Sequence, residues 1–231
     1  MKTYLINQDL PEKYKSVIKR FGRCVPLPPS DILPQPVGSH PDTLIGKIGG
    51  EIFVGESDAS LRRALDAVNI KCRVSAHAAA GKYPGDCALN FFTVKNVLFG
   101  KTDTMSAEAA KFATENGYEL IHVRQGYAHC ATTLVGGGAI TSDDGIFDAL
   151  TSHGVPSLKI TSGNILLPPY KYGFIGGACG IIDDGTVIFF GSLSFHPDGE
   201  KIRKFCSDMR VRIIEGDGPL YDYGGMITLD I

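Results

Sequence analysis

The feature that most constrains this chain is a unit of strand, strand, helix and strand that recurs along it, the two chain ends supplying complementary pieces of one more copy. The clearest copy runs from Asp86 to Arg124: "DCALNFFT", a turn at Lys95-Asn96, the apolar run "VLFG", the helix "SAEAAKFATENG" and the strand "YELIHV". In that helix Ala109, Phe112 and Ala113 form one apolar face, and Gly117 supplies a left-handed stop. The same order reads from His40 ("HPDTLIGKI", "EIFVG", "DASLRRALDAVN", "KCRVSA") and from His129 ("HCATTLV", "AITS", "DDGIFDALTSHG", "SLKITS"). It reads again from near Gly177: "ACGIID", a hairpin turn at Asp184-Gly185, "TVIFFG", "PDGEKIRKFCSDM" and "RVRIIE". The C-terminal "DYGGMITLDI" reads as a first strand, and the N-terminal "TYLIN", "PEKYKSVIKRFG" and "CVPLP" as the rest of that unit.

A linear stack of repeats needs no complementarity between its ends, whereas a closed ring does, because closure leaves no uncovered apolar edge. The pattern therefore predicts an α/β fold, a closed five-bladed α/β-propeller of ββαβ units with pseudo-five-fold symmetry. Residues 1–231 form a single domain, and the N- and C-terminal segments together complete one blade.

A chain of 231 residues, 43% hydrophobic and 21% charged, can bury the core this requires. Its net charge of −2, from 23 basic and 25 acidic residues, gives no electrostatic ground for nucleic acid or an anionic membrane as partner. No apolar segment has the length of a signal peptide or a bilayer span, so a cytoplasmic location is expected. The six cysteines lie far apart, without C-x-x-C or zinc-ligand spacing, which predicts reduced thiols and no metal. "GKT" at 100–102 has Lys95 where a phosphate loop needs glycine, and the glycines at 136–138 do not make G-x-G-x-x-G; no cofactor is implied. The oligomeric state stays open, a homo-oligomer included.

In a ring the first strand of each unit lines the axis, so the five strand starts are where side chains converge. They carry His40 and Asp42, Asp86 and Asn90, Cys130, Cys179 in "GGACG", and Asp222. Strand alternation turns His40 and Asp42 the same way and sends His129 and Cys130 to opposite faces. A cysteine between small residues also fits an inert core thiol, and Asp86 in "YPGD" also fits a turn. Cys87 and Cys179 are rival thiols on equivalent strands. "LPPYKYGF" at 167–174 reads as a rim loop, since paired prolines reject ladder bonding.

The arrangement resembles the pentein, or five-fold α/β-propeller, superfamily. It includes guanidino-group-modifying enzymes (arginine and agmatine deiminases, dimethylarginine hydrolases, glycine amidinotransferases) and a non-enzymatic ribosome anti-association translation factor. "HPDT" at 40–43 is similar to the deiminases' His-x-Asp-Thr, which implies His40 as general acid/base and Asp42 as a guanidinium ligand. The deiminases' nucleophilic cysteine lies two blades after the His blade, which here implies Cys130 in a circularly permuted order. The acid that orients the His lies one blade before it, which implies Asp222 or Glu215, Asp217 being the weaker match. Asp86 and Asn90 complete a site for a small cationic substrate. The implied chemistry is a cysteine-dependent hydrolase or transferase working on a guanidino or amidine-like group through a thiouronium intermediate. The alternative is a non-catalytic binding protein like the translation factor, to whose repeated strands "GDCALN" and "ACGIIDDG" are similar.

Overall fold

The computed structural model describes residues 2–76 and 81–230; Ile231, at the end of the expected terminal strand, lies outside them. The chain opens with β1 (Lys2–Asn7), α1 (Glu12–Ile18) and β2 (Arg23–Leu27), followed by the short helical turn α2 (Pro41–Leu44). Next come β3 (Ile45–Ile48), β4 (Glu51–Gly55), α3 (Ala59–Asp66) and β5 (Arg73–Ser75). The third unit is β6 (Phe92–Val94), β7 (Val97–Gly100), α4 (Ala107–Glu115) and β8 (Glu119–His122). The fourth is β9 (Thr132–Val135), β10 (Gly138–Thr141), α5 (Asp144–Ser152) and β11 (Ser157–Lys159). The fifth is β12 (Cys179–Asp183), β13 (Thr186–Phe189), α6 (Gly199–Asp208) and β14 (Arg212–Glu215), and β15 (Met226–Asp230) ends the chain.

These strands form five three-stranded sheets. In each, the middle strand pairs antiparallel with one neighbour and parallel with the other, and a helix crosses between the parallel pair. The terminal sheet is β15-β1-β2, with Lys2 opposite Asp230 and Ile6 opposite Met226, so the two chain ends build one unit as the sequence predicts. Helix starts are fixed locally: Ser106 Oγ and Asp143 Oδ1 accept the amides of Ala109 and Ile146, satisfying donors that a helix leaves orphaned.

The middle strands explain why their sequences are continuously apolar. In β7, Leu98 enters a core shared with Ile48 and Phe53, while its neighbour Phe99 enters a core shared with Ala139 and Ile146. In β1, Leu5 packs with Ile45 and Val54, whereas Tyr4 and Ile6 pack with Ile188 and Phe190. Val187 and Phe189 of β13 join Ile140 of β10 in a fifth core. Alternating side chains thus bury both faces of every sheet, a pattern that leaves no polar face to read. The five cores join each sheet to the next in chain order, and the last to the first.

The strand starts depart from expectation. Residues 40–44, 85–91 and 127–131 are turns or short helices, and pairing begins only at Ile45, Phe92 and Thr132. The alternation argument for His40 with Asp42, and for His129 against Cys130, therefore does not apply. Pro41 at the first helical position favours the turn. The backbone groups of these segments bond within their own turns, and Asp42 N and Cys130 O also bond to neighbouring units, instead of along a ladder. The 167–174 stretch lies outside the strands, with Tyr170 and Tyr172 exposed.

Candidate active site

The turns that precede the five first strands are stitched into a circuit of hydrogen bonds. Gly224 O accepts from Asp42 N (3.0 Å), and Asp42 O accepts from Asn90 Nδ2 (2.9 Å). Asn90 Oδ1 accepts the amides of His129 (2.7 Å) and Cys130 (3.2 Å). Cys130 O accepts from Gly176 N (2.9 Å), and Gly177 O accepts from Tyr223 N (2.9 Å), returning to the unit where the circuit began. Each link satisfies backbone groups that burial would otherwise strand.

Four titratable side chains hang on this circuit: His40, Asp42, Cys130 and Asp222, none more than 5% exposed. Cys130 Sγ accepts from Asn90 Nδ2 at 2.9 Å and lies 3.6 Å from Thr43 Oγ1. Asp222 accepts the amides of Phe174 (2.8 Å) and Gly224 (2.9 Å), and its Oδ1 lies 3.6 Å from His40 Nδ1. Asp42 Oδ1 accepts from Thr43 Oγ1 at 3.3 Å, whereas its Oδ2 is buried with no partner among the described residues. Two glycines make the close packing feasible. A side chain at Gly177 would run into the Asp222 carboxylate, and one at Gly224 (φ +77°) into His40.

Burial raises the Asp42 carboxyl to about 6, with the Asp222 charge adding and His40 opposing. Asp222 is raised by burial too, against His40 and its two amide donors. The Cys130 thiol sits well above its ordinary value because it is buried beside the Asp42 and Asp222 charges, which the Asn90 and Thr43 hydrogen bonds only partly offset. The resting thiol is therefore protonated.

The remaining predicted residues have partners of their own. Asp86 is half-buried and accepts from Tyr127 Oη (2.8 Å) and Cys87 Sγ (3.4 Å). Cys87 is pushed up by burial and by Asp86, and Cys179, raised to about 12 by burial, bonds Thr133 Oγ1 (2.9 Å) and Ile175 O (3.3 Å). Glu215 is committed to Arg203, and Asp217 is on the surface beside Lys13. All six cysteines are free. Among the described residues no His, Cys, Asp and Glu cluster is arranged to hold a metal, and no helix is long and apolar enough to cross a membrane. Sequence reasoning missed Thr43 as a neighbour of the thiol and the Gly177 and Gly224 cradles. The paired glycines at 176–177 and 224–225 were the available signal.

Comparison with solved structures gives the same fold at low identity. DDAH from Pseudomonas aeruginosa, a cysteine-to-serine mutant complexed with citrulline, aligns with a TM-score of 0.58 at 10% identity, over 93% of this chain and 91% of that one. The amidinotransferase SxtG from Microseira wollei, of the saxitoxin biosynthetic pathway, aligns with a TM-score of 0.55 at 14% identity, over 95% and 78%. C. jejuni agmatine deiminase aligns with a TM-score of 0.56 at 10% identity, over 93% and 87%. These are guanidino-modifying members of the pentein superfamily, and the chain shares their fold. No curated protein matches it. The profile of the Family of unknown function (DUF6873) matches residues 5–227, and the chain belongs to that family.

Proposed function

We propose that this protein is a cysteine-dependent hydrolase or transferase acting on a small guanidino or amidine-like cation, on a single domain, residues 1–231, closed as a five-bladed α/β-propeller. The observation that carries the proposal is the gathering of Cys130, His40, Asp42 and Asp222 on one hydrogen-bonded circuit, from three sheets. The order of these residues supports it: the acid lies one unit before the imidazole and the thiol two units after it, as in the enzymes the sequence resembles. The core that links the last sheet to the first supports closure.

Asp42 holds the planar cation through the carboxylate oxygen that lacks a partner, and Asp222 orients His40. Cation binding offsets the two carboxylate charges that keep Cys130 protonated, so the thiol passes its proton to His40 as substrate enters. The thiolate adds to the guanidinium carbon; His40 delivers a proton to the departing amine, leaving a thiouronium on sulfur. Water deprotonated by His40 then adds to that carbon, the C–S bond breaks, and a ureido product leaves as sulfur departs with the electron pair. In a transferase an acceptor amine replaces the water. Asp86 and Asn90 complete the substrate-side set, Asn90 through its bond to the thiol.

A second reading, a non-catalytic binding protein on the same fold, is favoured by the burial of all four side chains. The test is incubation with arginine, agmatine and methylated arginines, assaying ureido product and a Cys130 adduct by intact mass. Product that disappears in Cys130→Ser and His40→Ala is expected. No product, with Cys130 alkylated only after unfolding, would overturn the catalytic reading in favour of the binding one.

A further inference from the structure

A cavity of about 890 Å³ is lined by none of His40, Asp42, Cys130 or Asp222. Every unit contributes to its wall near a hairpin turn or strand end: Gly49, Lys95, Gly137, Gly185 and Asp230. Pockets of this size accommodate small ligands whose orientation is set by a few polar groups.

Two of the lining groups are incompletely satisfied. Lys47 donates to Thr228 O at 2.6 Å and forms no ion pair among the described residues. His129 lines the same cavity, and its Nδ1 is closed off from solvent without a hydrogen-bond partner. Burial and the neighbouring Lys47 charge lower the imidazole to about 4, so it is neutral and able to donate one N–H. Burial also lowers Lys47, with the Lys2 charge acting the same way and Asp230 opposing.

The lining sets Lys2, Lys47, Lys95 and Arg210 against Asp183, Asp184 and Asp230, one more cation than carboxylate. Asp230 pairs with Lys2 at 3.2 Å, and Asp183 accepts the amide of Gly185 at 3.0 Å. Asp184 is exposed, while Lys95 and Arg210 add positive charge to the lining without carboxylate partners among the described residues. The half-buried Lys47 ammonium, with one protein acceptor, keeps donors for an anion in the cavity, and with Nδ1 closed off the imidazole meets that anion through Nε2–H.

We propose that this cavity binds a small oxyanion, a phosphate or carboxylate group, between the Lys47 ammonium and the His129 imidazole. The anion accepts charge-assisted hydrogen bonds from Nζ and an imidazole N–H, and Lys95 and Arg210 draw it in. The site stands whether or not Cys130 is a nucleophile.

The test is calorimetric titration with inorganic phosphate and, separately, with succinate, at constant ionic strength, on the wild-type chain and on Lys47→Gln, Lys47→Arg and His129→Gln. We expect saturable one-to-one binding of at least one anion, the tighter one giving the ligand class. Affinity should fall at least about tenfold in Lys47→Gln, which removes the charge-assisted bond, and largely survive in Lys47→Arg. Nitrogen NMR of the wild-type protein supplies a readout that needs no variant to fold: the His129 imidazole signals should move on saturation. Failure of both anions to saturate the wild type would overturn the proposal. So would affinity within about twofold in a folded Lys47→Gln, or unmoved His129 signals at saturation.

Discussion

Asn90 Nδ2 lies 2.9 Å from Cys130 Sγ, and the same side chain's Oδ1 accepts the Cys130 amide at 3.2 Å, so one buried asparagine holds both the backbone and the thiol of a residue forty positions away. A third bond, to Asp42 O, ties that thiol to the turn carrying the carboxylate.

Asn90→Ala should orphan the amides of His129 and Cys130 and the carbonyl of Asp42 together. The expected loss is about 2–4 kcal/mol in urea unfolding, toward the upper end for a buried polar deletion. A loss within about 0.5 kcal/mol would mean that the circuit adds nothing to stability.

The Asp42→Asn variant should lower the pH at which Cys130 is alkylated, because it removes the nearest charge holding the thiol protonated. At a fixed pH near 8 the haloacetamide rate at Cys130, assigned by mass spectrometry, should rise by about tenfold. Turnover of guanidino compounds should meanwhile vanish. An unchanged rate would place the Asp42 charge outside the thiol's electrostatic reach.

Stability should carry the same carboxyl's signature. The folded-state value of Asp42 is raised from 3.8 to about 6, so the fold binds its proton more tightly than the unfolded chain does. That contribution is fully present below the unfolded value and is lost as pH rises through the folded one. Asp42→Asn should therefore gain on wild type between about pH 4 and pH 7, by at most a few kcal/mol. Chemical denaturation across that range checks it, and a difference that is flat or of opposite slope would contradict it.

Gly224→Ala should be worse than Gly218→Ala, although both glycines have positive φ (+77° and +74°). Nothing lies within 4 Å of an added methyl at Gly218, so that variant should pay only the backbone penalty of about 1 kcal/mol. At Gly224 the methyl meets His40, and the loss should be larger by about 1–3 kcal/mol, accompanied by loss of guanidino turnover. Equal thermal shifts for the two variants would show that His40 can move away freely.

What the sequence determined by itself was the order of elements and the pairing of the chain ends. Runs such as "TYLIN", "EIFVG" and "TVIFFG" are apolar without alternation because their residues feed cores on both faces, and that pattern is local enough to read. Helix starts at Ser106 and Asp143 were legible for the same reason, since a cap involves residues only three apart. His40, Asp42 and Cys130, and Asp222 as an alternative to Glu215, were reached through the strand starts and the resemblance to the deiminases. Only the tertiary structure decided how they meet. The residues before the first strands leave the strand conformation because their backbone groups bond within turns and to neighbouring units, through bonds such as Asp42 N to Gly224 O. That bond reaches a turn 182 positions away. Turn geometry has no period, and a hydrogen bond across that separation leaves no pattern along the chain, so the closeness of Asn90 to the thiol and the bonds of Tyr127 and Cys87 to Asp86 belonged to the fold alone.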